Sequence, residues 1–168
     1  MTRTYSKLRR LWQKNGAHEF GKICQIFLGF CLIRQSFKLQ IFQLSGRPDI
    51  VAVRNNEKYA FEVKTQSDAK AVIKPDDLEA VKEYPDQGIL AVLSYPDLDS
   101  SWVLVSANNI KPGKWPIPFL KQHSIPTLEQ EVNEVFPQVL EEYFSTADSG
   151  TPVLYQAFND LWEIEKKK

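Results

Sequence analysis

Cysteine is nearly absent from this chain of 168 residues, occurring only at Cys24 and Cys31. Two turns of helix would hold them about 10 Å apart, beyond the reach of a disulfide. Neither has a partner at zinc-site spacing, so both are expected as core thiols. Histidine is equally scarce. His18 and His123 have no neighbours at the spacing of a catalytic triad or a zinc site, and no role is assigned to them. Long apolar runs are missing too. The longest, residues 23–33, is interrupted by Gln25 and Gly29, and a bilayer span needs about 20 apolar residues. The first seven residues lack the apolar core of a signal peptide. The expectation is an intracellular, cytoplasmic protein with no membrane partner.

Net charge is the last absence: 21 Lys and Arg balance 21 Asp and Glu. The balance hides an asymmetry, because residues 1–64 hold twelve bases against four acids, a net of +8, and the remainder carries −8. Two readings follow. The basic half faces a polyanion, or the two halves neutralise each other across an interface.

What is present is ordinary globular material, 43% hydrophobic and 25% charged, enough for one domain with a helical appendage. Helical periodicity predicts helices over 5–14 and 17–34 with a break at Gly16. Strands are expected at 37–44, 49–54 and 58–64, the last two joined by a hairpin turn at Asn55-Asn56. Pro75 with Asp76 and Asp77 marks a helix start, running to about 84 and stopped by Pro85 and Gly88. Buried strands follow at 88–94 and 102–106. Residues 107–126, rich in Pro, Asn, Gly and Lys, read as a loop or linker. Helices return after 127 and over 153–164. Their apolar stripe (Leu128, Val132, Val135, Val139, Tyr143) packs on the same domain or forms a homodimer interface.

The third strand carries the chemistry. Residues two apart share a face, so Tyr59, Phe61 and Val63 point to the core while Ala60, Glu62 and Lys64 point the other way. Asp49 and Glu62 lie almost equally far from the Asn55-Asn56 turn, so the hairpin brings Asp49 to the Glu62–Lys64 end. Two carboxylates suit a hard cation such as Mg²⁺, with Mn²⁺ as a substitute, and the Val63 carbonyl is a further candidate ligand. Such an ion polarises a phosphodiester and lowers the pKa of water, and Lys64 can orient that water or stabilise charge on phosphorus oxygens.

The pattern Pro48-Asp49, then Glu62-Val63-Lys64, resembles the PD-(D/E)xK nuclease superfamily. Lys14-Asn-Gly-Ala-His-Glu-Phe-Gly and the stretch from Gly46 to Thr65, with the helix and strands through Val105, resemble archaeal Holliday-junction resolvases. The likeness covers about 14–106. It implies a restriction-endonuclease-like α/β fold: a central mixed β-sheet flanked by helices, here with a C-terminal helical extension. The division is then a nuclease-like domain at 1–106, a linker at 107–126 and a helical extension at 127–168. The implied activity is Mg²⁺-dependent DNA endonuclease, with a structure-specific junction substrate in view. The family pattern also places a Glu on the helix before the first strand, where Glu19 stands, to hold a water on the metal. Phosphate contacts are expected from Arg9, Arg10, Arg34, Lys38, Arg47 and Gln66. A homodimer fits the need to cut both strands, and a DNA partner implies association with the nucleoid. The alternative is a nuclease-fold module that binds DNA or a partner without cutting.

Overall fold

The computed structural model describes residues 3–66, 68–84, 87–94 and 100–168. The first helix, α1 (Arg3–Arg34), bends at Gly16, whose φ of 81° and ψ of 167° leave helical space. That conformation is open to glycine at little cost, and it falls where the sequence predicts the break. An antiparallel meander follows: β1 (Lys38–Phe42), β2 (Ile50–Arg54) and β3 (Glu57–Gln66). Asn55 and Asn56 both take positive φ at the β2–β3 turn, a conformation that asparagine tolerates. The chain then crosses over through β4 (Lys70–Ile73) and α2 (Pro75–Glu79) to β5 (Gly88–Ser94), which runs parallel to β3. Strand β6 (Trp102–Ser106) returns antiparallel, completing a five-stranded sheet of order β1-β2-β3-β5-β6. Beyond it lie β7 (Gly113–Pro116), α3 (Ile117–Gln122), α4 (Pro126–Asp148) and α5 (Thr151–Lys166). This is the expected α/β class, a mixed central sheet flanked by helices with helices added at the C-terminus.

The sheet is covered on both faces, which explains why β5 and β6 read as continuous apolar runs rather than alternating ones. On one face Ile50, Ala52, Phe61, Ile89, Ala91, Leu93, Trp102 and Leu104 pack with the apolar sides of α1, α4 and α5. Gly29 permits the closest approach there. A methyl on it would come within 2.8 Å of Phe158 and 2.9 Å of Phe42. On the other face Leu90, Val92, Val103 and Val105 meet Ala71, Ile73, Ile110, Ile117 and Leu120.

That second layer corrects the reading of 107–126 as loop. The segment holds a short 3₁₀ turn (Ala107–Asn109), then β7, which pairs with β4 as a separate two-stranded sheet, then α3. Each piece is short, with Pro112 and Pro116 between them and Pro118 in the first turn of α3, so little periodicity develops for a sequence reading to find. Burial against the main sheet, rather than local propensity, holds them. The α2 helix is also shorter than expected, giving way to turns after Glu79. Pro85, the expected stop, lies outside the described residues.

The apolar stripe of α4 is buried within this chain, with Leu128, Val132, Phe136, Val139 and Leu140 in the main core. Its polar flank resolves the charge asymmetry in favour of mutual neutralisation over much of the basic half. Arg3 and Lys7 pair with Glu141, Arg10 and Lys14 with Asp148, Arg34 with Glu142, and Arg54 with Glu131.

At the opposite margin of the sheet α4 supplies a substitute strand. Asn133 accepts the Trp102 N–H (2.8 Å) and donates to the Trp102 carbonyl (2.9 Å), while Glu129 accepts the Leu104 N–H (2.9 Å). The Ile125 N–H donates to the Leu104 carbonyl at 2.8 Å. Replacing Asn133 by Ala strands two partly buried backbone groups, so Asn133→Ala should lose about 1–3 kcal/mol of stability in urea denaturation. An unchanged midpoint would show that water replaces the amide without cost. Among the described residues, no helix is long and apolar enough to cross a membrane.

Candidate functional site

The β2–β3 ladder pairs Arg54 with Glu57 at the turn and Ile50 with Phe61 at its far end. One step further, Asp49 comes beside Glu62, as equal distance from the turn requires. The two acids are only 9% and 5% exposed. Phe61 enters the main core, and Glu62 faces the opposite way into a polar cavity of about 440 Å³, which Asp49, Val63 and Lys64 also line. The Val63 N–H donates to Asp49 Oδ2 at 2.8 Å, so this backbone reaches the pair through its amide.

The segment that carries Asp49 is held by two glutamines. The Asp49 carbonyl accepts the Gln43 N–H at 3.0 Å, and Gln43 Nε2 donates to the Pro48 carbonyl at 2.8 Å. From α1, Gln25 Nε2 donates to the Gln43 carbonyl (2.9 Å) and toward the Asp49 carbonyl (3.4 Å). Gln25 is 5% exposed, a polar side chain placed in the most apolar stretch of the chain. The break it makes in the 23–33 run is the signal that could have found it. A buried amide in an otherwise apolar helix needs partners, and here the partners are the backbone of the acid loop.

Burial drives the electrostatics. Removal from water pushes the Glu62 carboxyl up to about 9, helped by its hydrogen bond with Asp49 and by that neighbour's charge. Burial also raises Asp49, opposed by its bonds with Glu62 and the Val63 amide and by the charge of Arg47. Two adjacent buried carboxylates cannot both ionise cheaply, so the pair keeps a proton at neutral pH. Glu62 Oε2 is nevertheless buried with no hydrogen-bond partner. An unpartnered oxygen beside a second carboxylate is what a small hard cation would satisfy. Among the described residues no group of three or more His, Cys, Asp or Glu is placed to hold a metal ion. Within this cavity, the chemistry of the pair suits a divalent cation only if backbone oxygen and water complete the shell.

Lys64, two residues along β3, lies on the same side as Glu62. Its ammonium is 3.2 Å from Asp77, which is 3% exposed and sits in the first turn of α2. The other role of Asp77 is local: its Oδ2 accepts the Lys74 N–H at 2.8 Å. The sequence identifies Asp77 as an acid favoured by the helix dipole. Its contact with Lys64 depends on the crossover folding α2 back against β3.

Other expected site residues scatter. Glu19 does not line the cavity. On α1 the positions that do are His18, Gly21, Lys22 and Gln25, one face of the helix, and Glu19 lies about 100° away. Its carboxyl faces Thr151 of α5 and Lys22, which hold its pKa below the usual range. Arg10 and Arg34 are engaged by Asp148 and Glu142. Arg9 and Lys38 are exposed but away from the cavity, and Gln66 ends β3 opposite Ser94. Arg47 is exposed and does line the cavity.

Comparison with known proteins converges on the same segment. Residues 42–93 match the family model of the archaeal Holliday junction resolvases (Hjc). The matched stretch contains Asp49, Glu62, Lys64 and Asp77 and stops short of Glu19. It bears out the resemblance read from the sequence over that stretch, about a third of the chain. Among solved structures, the chain is similar to Hjc of Archaeoglobus fulgidus, a Holliday junction resolvase from an archaeal hyperthermophile. The identity is 17% and the TM-score 0.46, with 59% of this chain and 86% of that one covered. No curated protein matches the chain significantly.

Proposed function

We propose that this chain is a divalent-metal-dependent DNA endonuclease that hydrolyses phosphodiester bonds, with a branched, junction-like DNA as its preferred substrate. The observation that carries the reading is the buried Asp49–Glu62 pair, one oxygen of it unpartnered, opening on a polar cavity beside Lys64. Asp49 and Glu62 would hold Mg²⁺ or Mn²⁺, with the Val63 carbonyl as a further donor. Such an ion supplies positive charge to the phosphate and makes a nearby water acidic enough to attack at neutral pH. Lys64 places an ammonium where charge develops on phosphorus oxygens. Asp77 keeps that ammonium at the cavity wall, and Arg47 at the rim meets the incoming phosphate. Gln25 and Gln43 fix the backbone of the Asp49 loop. The junction preference rests on the family match over 42–93. A homodimer, which would present two such sites to a four-way junction, and an intracellular, nucleoid-associated location belong to the same proposal.

The test is cleavage of supercoiled plasmid and of a labelled four-way junction, each with Mg²⁺, with Mn²⁺ and with EDTA. Metal-dependent cutting, faster on the junction, is the expected result. A second reading, a module that binds DNA without cutting it, is favoured by the departure of Glu19, which leaves Asp49 and Glu62 with Asp77, itself paired with Lys64, as the acids lining the cavity. Folded protein that binds the junction but cuts neither DNA in either metal would establish that reading instead.

A further inference from the structure

The basic residues of α1 that a DNA surface would use are largely committed to α4, so the charge that meets a substrate must come from elsewhere. The small β4–β7 sheet has such charge. Residues 107–126 contain Lys111, Lys114 and Lys121 and no acid, within a second half whose balance is otherwise strongly negative. In the ladder Lys70 stands opposite Pro116, Ala71 opposite Trp115, Val72 opposite Lys114 and Ile73 opposite Gly113. Ala71 and Ile73 are buried against the main sheet with Trp115 packed on them. Opposed residues of an antiparallel pair share a face, so Lys70, Val72, Lys114 and Pro116 form the outward one. All four are exposed, as are Lys74 and Lys111 at the ends of the two strands. Val72 in particular is an apolar side chain left 40% exposed between lysines.

This face is tied to the site by one carboxylate. Asp77 accepts the N–H of Lys74, at the end of β4, and pairs with Lys64 on β3. Strand β4 itself follows directly from β3, the strand that carries Glu62. Asp68, whose carboxylate accepts the Lys70 N–H, and Asp76 flank the patch, leaving the four lysines in excess over two acids.

We infer that the outer face of the β4–β7 sheet is a contact surface for the phosphate backbone of the DNA that the neighbouring site cleaves. This inference rests on the nuclease reading proposed above and adds the surface that seats the substrate. The contact is sequence-independent, since lysine ammonium groups neutralise phosphates without reading bases. Val72 lies among them as an apolar contact for the sugars.

The experiment is fluorescence anisotropy of a labelled DNA duplex in EDTA across a salt series. Wild-type protein is compared with the combined variant Lys70→Gln, Lys111→Gln and Lys114→Gln, and with Arg10→Gln. Each lost phosphate contact removes about 0.9 from the slope of log affinity against log salt. The triple variant should therefore show a slope shallower by about 2–3, and Arg10→Gln the wild-type slope. All three lysines are exposed, so circular dichroism should be unchanged. If the triple variant binds with the wild-type slope while both proteins cut DNA, the surface is overturned and the nuclease reading stands. If wild-type protein neither binds nor cuts DNA, the nuclease reading fails and this surface with it.

Discussion

Asp49→Asn should abolish metal-dependent cleavage, lowering the rate by at least about 10³-fold, which is about 4 kcal/mol of barrier. The substitution keeps the shape of the side chain and an oxygen that can accept the Val63 N–H. The loop stays in place because Gln25 and Gln43 hold it by backbone carbonyls rather than by the carboxylate. What disappears is one of the two anionic donors of the pair, so the expected loss is of cation binding and not of fold. Thermal denaturation separates the two. Wild-type protein should be stabilised by Mg²⁺ or Mn²⁺, by about 2.7 kcal/mol at a hundredfold excess over Kd, and the variant should not respond. Without metal the variant should be at least as stable as wild type, because it removes the desolvated charge that the pair carries. Cleavage surviving in Asp49→Asn would remove this pair from the chemistry.

The second large effect is on pH. The Glu62 carboxyl is pushed from its ordinary 4.5 up to about 9 by burial and by Asp49. Between those values the folded protein keeps a proton that the unfolded chain has released, so the contribution of Glu62 to stability falls as pH rises and levels off above about 9. The slope is at most about 1.4 kcal/mol per pH unit. Comparing urea denaturation of wild type and Glu62→Gln in EDTA between pH 5 and 9 isolates this contribution from other acids. The difference should grow with pH in favour of the variant. Cation binding runs in the opposite sense. A divalent ion displaces the shared proton, so its affinity should rise by up to tenfold per pH unit below about 9, with close to one proton released. Calorimetric Mn²⁺ titrations at pH 6, 7 and 8 in buffers of different ionisation enthalpy measure that proton directly. An affinity independent of pH, with no proton released, would mean that the ion does not bind at this pair.

The pairing of Asp49 with Glu62 was legible because it depends on counting along one hairpin. The turn is marked by two asparagines, the strands alternate, and no distant part of the chain is needed. Lys64 follows from the same alternation. The fate of Glu19 was not legible, because a helix interrupted at Gly16 can present either of two neighbouring faces to a sheet. A rotation of about 100° separates Glu19 from His18, Lys22 and Gln25. The charges were countable but their partners were not, since Arg10 and Asp148, or Arg54 and Glu131, meet only when α4 lies along α1 and the sheet. For the same reason Asp77 could be read as a helix-starting acid but not as the anchor of Lys64. The elements within 107–126 escaped because each spans at most two periods of the pattern that would reveal it, too few to stand out among the prolines.

The pseudo-strand that α4 lays along β6 has a consequence for colloidal behaviour. A sheet margin with free N–H and C=O groups is a template on which another chain can add in register. Here Trp102 and Leu104 turn their outward backbone groups to Asn133, Glu129 and Ile125. The lattice of backbone bonds therefore ends inside the molecule on that side, at two side chains of α4 and the backbone just before it. Unfastening α4, by truncation or by loss of Asn133 and Glu129 together, would expose that apolar strand as a margin on which copies of the chain can assemble edge to edge.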